Sequence, residues 1–195
     1  INTISVMMYQ QFENERMSSL VQIGRTPVPS SSAKLLDAYT LRISVLEQCN
    51  YRCPYCQPAG TTPFHEKKQW LIAEEHRVLA HALSPLPIHK IRFTGGEPLL
   101  RPDLADLIQG WRTHFPHATL ALTTNGDKML GKLPLLESAG LDQLTFHLDT
   151  LKAERYAALM GRGDFEQVLL NIHESQRRLS NTKINMVVQK GLNDD

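Results

Sequence analysis

Short apolar runs alternate along the chain with segments in which apolar residues recur every three or four positions. The short runs predict five β-strands, namely TLRISVL (40–46), HKIRFTGG (89–96), ATLALTTNG (118–126), QLTFHLD (143–149) and KINMVVQKG (183–191). The helical spacing predicts five α-helices, at 71–83, 103–115, 132–140, 153–160 and 164–179. Strands that alternate with helices at this spacing are typical of parallel β/α units, so we expect an α/β fold.

The turns that follow these strands are rich in glycine and polar residues, as in TGGEP, TTNG, LDT and QKG. In parallel β/α folds, ligands bind at the carboxyl ends of the strands. We therefore expect a partial (β/α) TIM-like barrel, truncated after about five strands, in a core domain at 39–195 that continues beyond Asp195 in a longer protein. Residues 1–38 are interpreted as an arm and linker, with a short amphipathic helix within 4–24 and a Pro- and Ser-rich turn region after it.

Composition narrows the class of protein. The 195 residues are 42% hydrophobic and 21% charged, which is ordinary for a globular protein of one domain or slightly more. A net charge of +1 gives no indication of a nucleic-acid or membrane partner. No apolar run approaches transmembrane length, and we expect a cytoplasmic protein with reduced thiols. The sequence does not indicate an oligomeric state.

All three cysteines of the chain lie within eight residues, directly after the first predicted strand. Cys49, Cys53 and Cys56 have the spacing C-x3-C-x2-C. One interpretation is a structural zinc site, to which His65 would contribute the fourth ligand. The other is a 4Fe–4S cluster with three cysteine ligands and one open iron. The spacing alone leaves both interpretations open.

A second motif, RFTGGEPLLR (92–101), follows the second predicted strand. Two adjacent glycines allow a backbone to approach a ligand closely. The glycine turn together with the cysteine triplet resembles the radical S-adenosylmethionine (SAM) superfamily. The resemblance implies that the open iron binds SAM, and that reduction releases a 5′-deoxyadenosyl radical that abstracts a hydrogen from the substrate. A zinc site would give no reason for the glycine turn.

Within that superfamily, the motifs LRISV, CNYRCPYC, IRFTGGEPLLR, LTTNG, AGLDQLTFHLDTL, GRGDFEQVL and KINMVVQKGLNDD occur in the order found in the GTP 3′,8-cyclases of molybdenum cofactor biosynthesis. This resemblance implies a lyase that binds GTP and takes electrons from a donor. The matched positions that contact GTP are Arg42, Arg92, Thr123 and Lys183. Those for SAM are Tyr55 and Gly96, and Glu97 is expected to position the SAM amino group. Asn125 is expected to support a turn.

Three cations support a nucleotide substrate independently of the resemblance. Because side chains alternate between the faces of a strand, Arg42, Arg92 and Lys183 share their faces with polar neighbours two residues on. A cation that points into a barrel is unfavourable unless an anion pairs with it. A triphosphate is a suitable anion, and arginine is well suited to phosphate oxygens. Alternatively, each cation lies near a strand end and reaches solvent.

The chain departs from the cyclase pattern at three points. His147 stands where the cyclases carry a serine that contacts SAM, and Gln48 stands where arginine usually precedes the first cysteine. The chain also has no further cysteine, whereas the resemblance implies a second cluster in the C-terminal portion of the full-length protein. This chain alone is therefore expected to generate the radical at most. The alternatives are a radical SAM enzyme that acts on a peptide or other substrate, and a non-enzymatic metal-binding module.

Overall fold

A computed structural model describes residues 21–25, 39–56, 70–161, 163–179 and 181–194. Its strands are β1 (Val21–Arg25), β2 (Tyr39–Ser44), β3 (Ile88–Thr94), β4 (Thr119–Thr124), β5 (Gln143–His147) and β6 (Asn181–Asn185). Its helices are α1 (Ala73–Leu83), α2 (Leu104–His114), α3 (Leu133–Ser138), α4 (Ala153–Met160) and α5 (Phe165–Arg178), with a 3-10 turn at Pro98–Leu100. None of the described helices is long and apolar enough to cross a membrane.

The strands form one sheet in the order of the chain. Strands β2 to β6 are parallel neighbours, and β1 pairs with β2 in the antiparallel direction. Connections between neighbouring parallel strands run through helices, as a barrel-type β/α arrangement requires. The predicted α/β fold, with a parallel sheet of a partial barrel, is confirmed.

One face of the sheet is apolar and packs on the helices. Alternate residues of the strands are fully buried in a single core together with α2, and Phe93 on β3 meets Trp111 on α2 with ring centroids 6.3 Å apart. The opposite face is polar, because the intervening positions carry threonine, serine, glutamine, arginine and lysine. The carboxyl ends of the parallel strands meet at one edge, which carries the cysteine loop after β2 and the glycine turn after β3.

Two regions need comment beside the predicted elements. The short amphipathic helix predicted within 4–24 stays a prediction for 4–20, which lie outside the described part of the chain, whereas Val21–Arg25 is a strand. That strand adds to the sheet a segment that the sequence had placed in the arm. The last predicted strand, 183–191, is β6 at Asn181–Asn185. Its backbone leaves the ladder early, since the Val187 N–H donates to the Asp149 carboxylate at 2.8 Å.

Candidate active site

The cysteine loop follows β2 at the carboxyl edge of the sheet. Cys49 and Cys53 are half-buried and Cys56 is exposed, and all three are free thiols. Burial raises the pKa of Cys49 to about 11; a hydrogen bond from the Tyr51 N–H opposes this, while Cys53 and Cys56 nearby raise it further. The three thiols therefore lie close enough to influence one another, and they are neutral until a metal displaces their protons.

The glycine turn after β3 packs directly against the cysteine loop. The N–H groups of Gly96 and Glu97 donate to the carbonyls of Leu46 at 2.9 Å and Gln48 at 2.8 Å. A Cβ on Gly96 would meet the Gln48 carbonyl oxygen well inside 3.0 Å, a distance that real Cβ atoms essentially never reach. The close approach that requires glycine here is thus made to the backbone of the cysteine loop.

The Glu97 carboxylate ties the glycine turn to β4. It is 1% exposed, and it accepts hydrogen bonds from the Leu99 N–H at 2.9 Å, the Thr124 hydroxyl at 2.6 Å and the Asn125 N–H at 2.7 Å. Burial raises its pKa, although these hydrogen bonds oppose the rise. The expectation that Glu97 positions the SAM amino group stays a prediction, and its carboxylate already has three protein donors.

Polar side chains fix the cysteine loop to the turn after β4. Asn50 donates to Asp127 at 2.9 Å and accepts from Asn125 at 2.9 Å, and the Asn125 side chain also accepts from the Asp127 N–H at 3.0 Å. Asn125 thus supports a turn, as predicted, and also holds the loop. The neighbouring Tyr51 is buried, with its hydroxyl 2.5 Å from that of Tyr156 on α4.

The last turn of the loop reaches the end of β5. The Tyr55 hydroxyl donates to the Asp149 carboxylate at 2.5 Å and is hydrogen-bonded to His147 Nε2. His147 Nε2 also lies 3.2 Å from the Asp149 carboxylate, which is fully buried. Burial would raise the pKa of Asp149, but its bonds with His147, Tyr55 and the Val187 N–H hold that pKa below its usual value. The structure therefore brings together Tyr55 and His147, two residues that the sequence had singled out separately.

The polar face of the sheet carries a group of cations. Arg42 and Arg92 are partners in the β2–β3 register, and Lys183 on β6 pairs in register with Thr145 on β5. Lys90, two residues before Arg92, shares its face and donates to the Gln143 side chain at 2.6 Å, across the small Ala121 between them. No Asp or Glu occupies this face of β2–β6. None of these four cations forms an ion pair within the described residues.

The cations lie beside buried polar atoms that lack partners. Thr123 and Thr145, which are neighbours across β4 and β5, each have a buried hydroxyl with no hydrogen-bond partner in the described part of the chain, and the same holds for Gln143 Nε2. Buried polar atoms without a protein partner are rare, so these atoms are free to accept or donate a hydrogen bond on this face. Burial, together with Arg92 and Lys183 nearby, lowers the pKa of Lys90 to about 8. Burial and Arg42 likewise lower the pKa of Arg92.

Sequence reasoning missed Lys90, Gln143, Thr145 and Asp149. The available signal was the strand period: Lys90 stands two residues before Arg92, and Gln143 and Thr145 stand four and two residues before His147. His65, the candidate fourth zinc ligand, lies outside the described residues. Across the described ranges, no three His, Cys, Asp or Glu side chains converge to hold a metal ion. In its chemistry the donor set fits an iron–sulfur cluster, since the chain offers three thiols in one loop.

Comparison with known proteins assigns the family. The sequence model of the radical SAM superfamily matches residues 43–195, which include the end of β2, the cysteine triplet, the glycine turn and strands β3 to β6. The chain belongs to the radical SAM superfamily. Membership implies a 4Fe–4S cluster and SAM as cofactors.

Two curated relatives have substantial sequence identity to this chain. The chain is 40% identical to molybdenum cofactor biosynthesis protein 1 of Bos taurus, over 80% of this chain and 25% of that protein. It is 38% identical to the GTP 3′,8-cyclase of Edwardsiella ictaluri, over 80% of this chain and 48% of that protein. The chain therefore spans half or less of the length of these relatives.

Solved structures support the fold alone. The SuiB protein of Streptococcus suis bound to its precursor peptide SuiA has a TM-score of 0.64 at 17% identity, over 76% of this chain and 33% of that one. Methylornithine synthase has a TM-score of 0.60 at 15% identity, over 80% of this chain and 46% of that one.

Proposed function

We propose that the chain is the radical-generating portion of a GTP 3′,8-cyclase of molybdenum cofactor biosynthesis. Cys49, Cys53 and Cys56 hold the 4Fe–4S cluster. The backbone of Gly96 and Glu97 and the loop residue Tyr55 contact SAM. When bound and reduced by an electron donor, cluster and SAM together supply a 5′-deoxyadenosyl radical. The names and the 36–40% identity of the curated relatives support this assignment.

One observation supports a nucleotide substrate most directly: four cations and no carboxylate on the sheet face whose carboxyl edge carries the cysteine loop. Arg42, Arg92 and Lys183 hold the phosphates of GTP, and Lys90 joins them. The unpartnered hydroxyl of Thr123 lies on the same face and would bond the substrate. Burial, and after it repulsion from the neighbouring cations, lowers the pKa values of Lys90 and Arg92, and the negative charge of a triphosphate would offset both effects.

Binding should depend on the number of phosphates more than on the base. We expect GTP to bind more tightly than GDP, and guanosine to bind weakest, in equilibrium titrations of the reconstituted protein. Arg92→Met should weaken GTP binding by roughly 1.5–3 kcal/mol, the range for hydrogen bonds to charged groups. Arg77→Met, which removes an exposed arginine of α1, is the control and should leave GTP binding unchanged. Equal affinity for GTP and guanosine would exclude the nucleotide site and reopen the substrate class.

The affinity for GTP should also depend on pH through Lys90. Its ammonium group is charged below its pKa of about 8 and neutral above it, so attraction to phosphate is lost as the pH rises. Between pH 7 and 9 we expect the dissociation constant of GTP to rise up to about tenfold. Phosphate groups with a second pKa of about 6 keep their charge over this range. Lys90→Arg, which stays charged, should flatten the profile; an unchanged profile in this variant would show that Lys90 does not face the phosphates.

A further inference from the structure

Three side chains meet where the cysteine loop reaches the end of β5. Tyr55 belongs to that loop, His147 is the last residue of β5, and Asp149 lies two residues after it. Asp149 is anchored independently of the other two. Its carboxylate accepts from the Val187 N–H and its carbonyl accepts from the Asn193 side chain at 2.9 Å, both on the segment after β6.

The proton count assigns a role to each atom. The Tyr55 hydroxyl has one proton, which it donates to the Asp149 carboxylate. His147 Nε2 then carries the proton of its own bond to the tyrosine oxygen, because that oxygen can only accept once its proton is used. The Asp149 carboxylate thus accepts from the Tyr55 hydroxyl, and the His147 imidazole donates to the oxygen of that hydroxyl. A serine side chain at this strand position is much shorter than that of histidine, and its hydroxyl would not reach the Tyr55 hydroxyl in this arrangement.

We propose that His147 is a positioning residue: through Nε2 and together with Asp149 it holds the Tyr55 hydroxyl, and so fixes the turn that carries Cys53 and Cys56 in the geometry that binds SAM. This inference rests on the proposed radical SAM function. It assigns to the histidine of this chain a task that depends on its distal ring nitrogen. The side chain of Tyr55 links the C-terminal turn of the cysteine loop to His147 at the end of β5.

Two variants with amide side chains distinguish the roles of the two ring nitrogens of His147. In His147→Gln, the longer side chain places an amide N–H near the position of Nε2. In His147→Asn, the shorter side chain places its amide near Nδ1 and cannot reach Tyr55. The third variant, Tyr55→Phe, removes the hydroxyl itself. Each is prepared anaerobically with iron and sulfide. The SAM dissociation constant is measured by equilibrium dialysis of the unreduced protein, with iron content and the change that SAM produces in the EPR spectrum of the reduced cluster.

We expect His147→Asn and Tyr55→Phe each to weaken SAM binding about tenfold, the effect of one lost hydrogen bond. The double variant should bind SAM no more weakly than Tyr55→Phe, because that single variant already removes the bond between His147 and the tyrosine hydroxyl. His147→Gln should bind SAM like the original chain and give the same EPR response. Loss of iron by His147→Asn, with iron retained by His147→Gln, would equally support positioning of the loop.

Other outcomes overturn the inference. If His147→Gln is as weak as His147→Asn, if Tyr55→Phe binds SAM normally, or if the two losses add in the double variant, His147 does not act through Tyr55. Cluster uptake and SAM binding by the unaltered chain test the proposed function independently of the variants. If it takes up no cluster or binds no SAM, the proposed function fails and the inference falls with it; if it does both and the variants match it, only the inference fails.

Discussion

Replacing Cys53 by alanine is expected to abolish 5′-deoxyadenosine formation by the anaerobically reconstituted, reduced chain. The chain has only three cysteines, so no other thiol can take the place of a lost ligand. The original chain should contain about four irons with matching sulfide and should cleave SAM slowly even without substrate. The measurements are iron and acid-labile sulfide content, and chromatography of 5′-deoxyadenosine and methionine.

Met160→Leu is the matched control for this variant. Met160 at the end of α4 is fully buried, and its thioether lies 3.5 Å from the Cys53 sulfur. Leucine has a similar volume and leaves all three thiols in place. The control should retain both the cluster and SAM cleavage. Tightly bound zinc without acid-labile sulfide in the original chain would contradict the cluster, and SAM cleavage that survives in Cys53→Ala would contradict the ligand set.

The parts of the fold that follow strand and helix periods were predictable from the sequence. The alternation in TLRIS and KIRFT places Leu41 and Phe93 in the core and puts Arg42 and Arg92 on the opposite face. That alternation is a local property of each strand. It therefore indicated a cationic face before the neighbouring strands were known.

Contacts between distant segments were not predictable in this way. Lys90 reaches Gln143 only because their strands lie on either side of β4 and because Ala121 between them is small. The end of β6 also depends on a contact with a distant segment. The sequence MVVQ (186–189) is apolar enough to continue a strand, so its own pattern does not predict where β6 ends. The Val187 N–H instead bonds the Asp149 carboxylate, and the strand stops at Asn185.

The glycine turn was recognised as a motif from the sequence, but the reason why Gly95 and Gly96 must be glycine was identified only in part. Sequence reasoning assigned the freedom of Gly95 and Gly96 to the approach of a ligand. In the structure, the atoms that approach most closely are the backbone atoms of Leu46 and Gln48. Gly95 additionally has φ +147°, which disfavours any other residue. Glycine is thus required to bring the two motifs together, before any ligand is considered.

Gly96→Ala is consequently expected to destabilise the chain strongly. The added Cβ would collide with the Gln48 carbonyl oxygen, which is backbone and cannot rotate away as a flexible side chain would. The turn or the cysteine loop must then shift, and the N–H bonds of Gly96 and Glu97 to that loop are lost with it. We expect the free energy of unfolding to fall by about 3 kcal/mol, the upper end for overpacking, and iron uptake to fall as the thiols separate.

Gly110→Ala provides the matched control, because Gly110 is also buried but lies within α2. A Cβ there would meet only the Arg77 side chain at 4.0 Å, an ordinary contact. Alanine is the better helix former by about 1 kcal/mol, so this variant should unfold at equal or higher urea concentration and take up iron normally. Urea unfolding of the unreconstituted protein measures stability apart from the cluster. If Gly96→Ala unfolds with the original chain and holds as much iron, the glycine turn does not fix the cysteine loop.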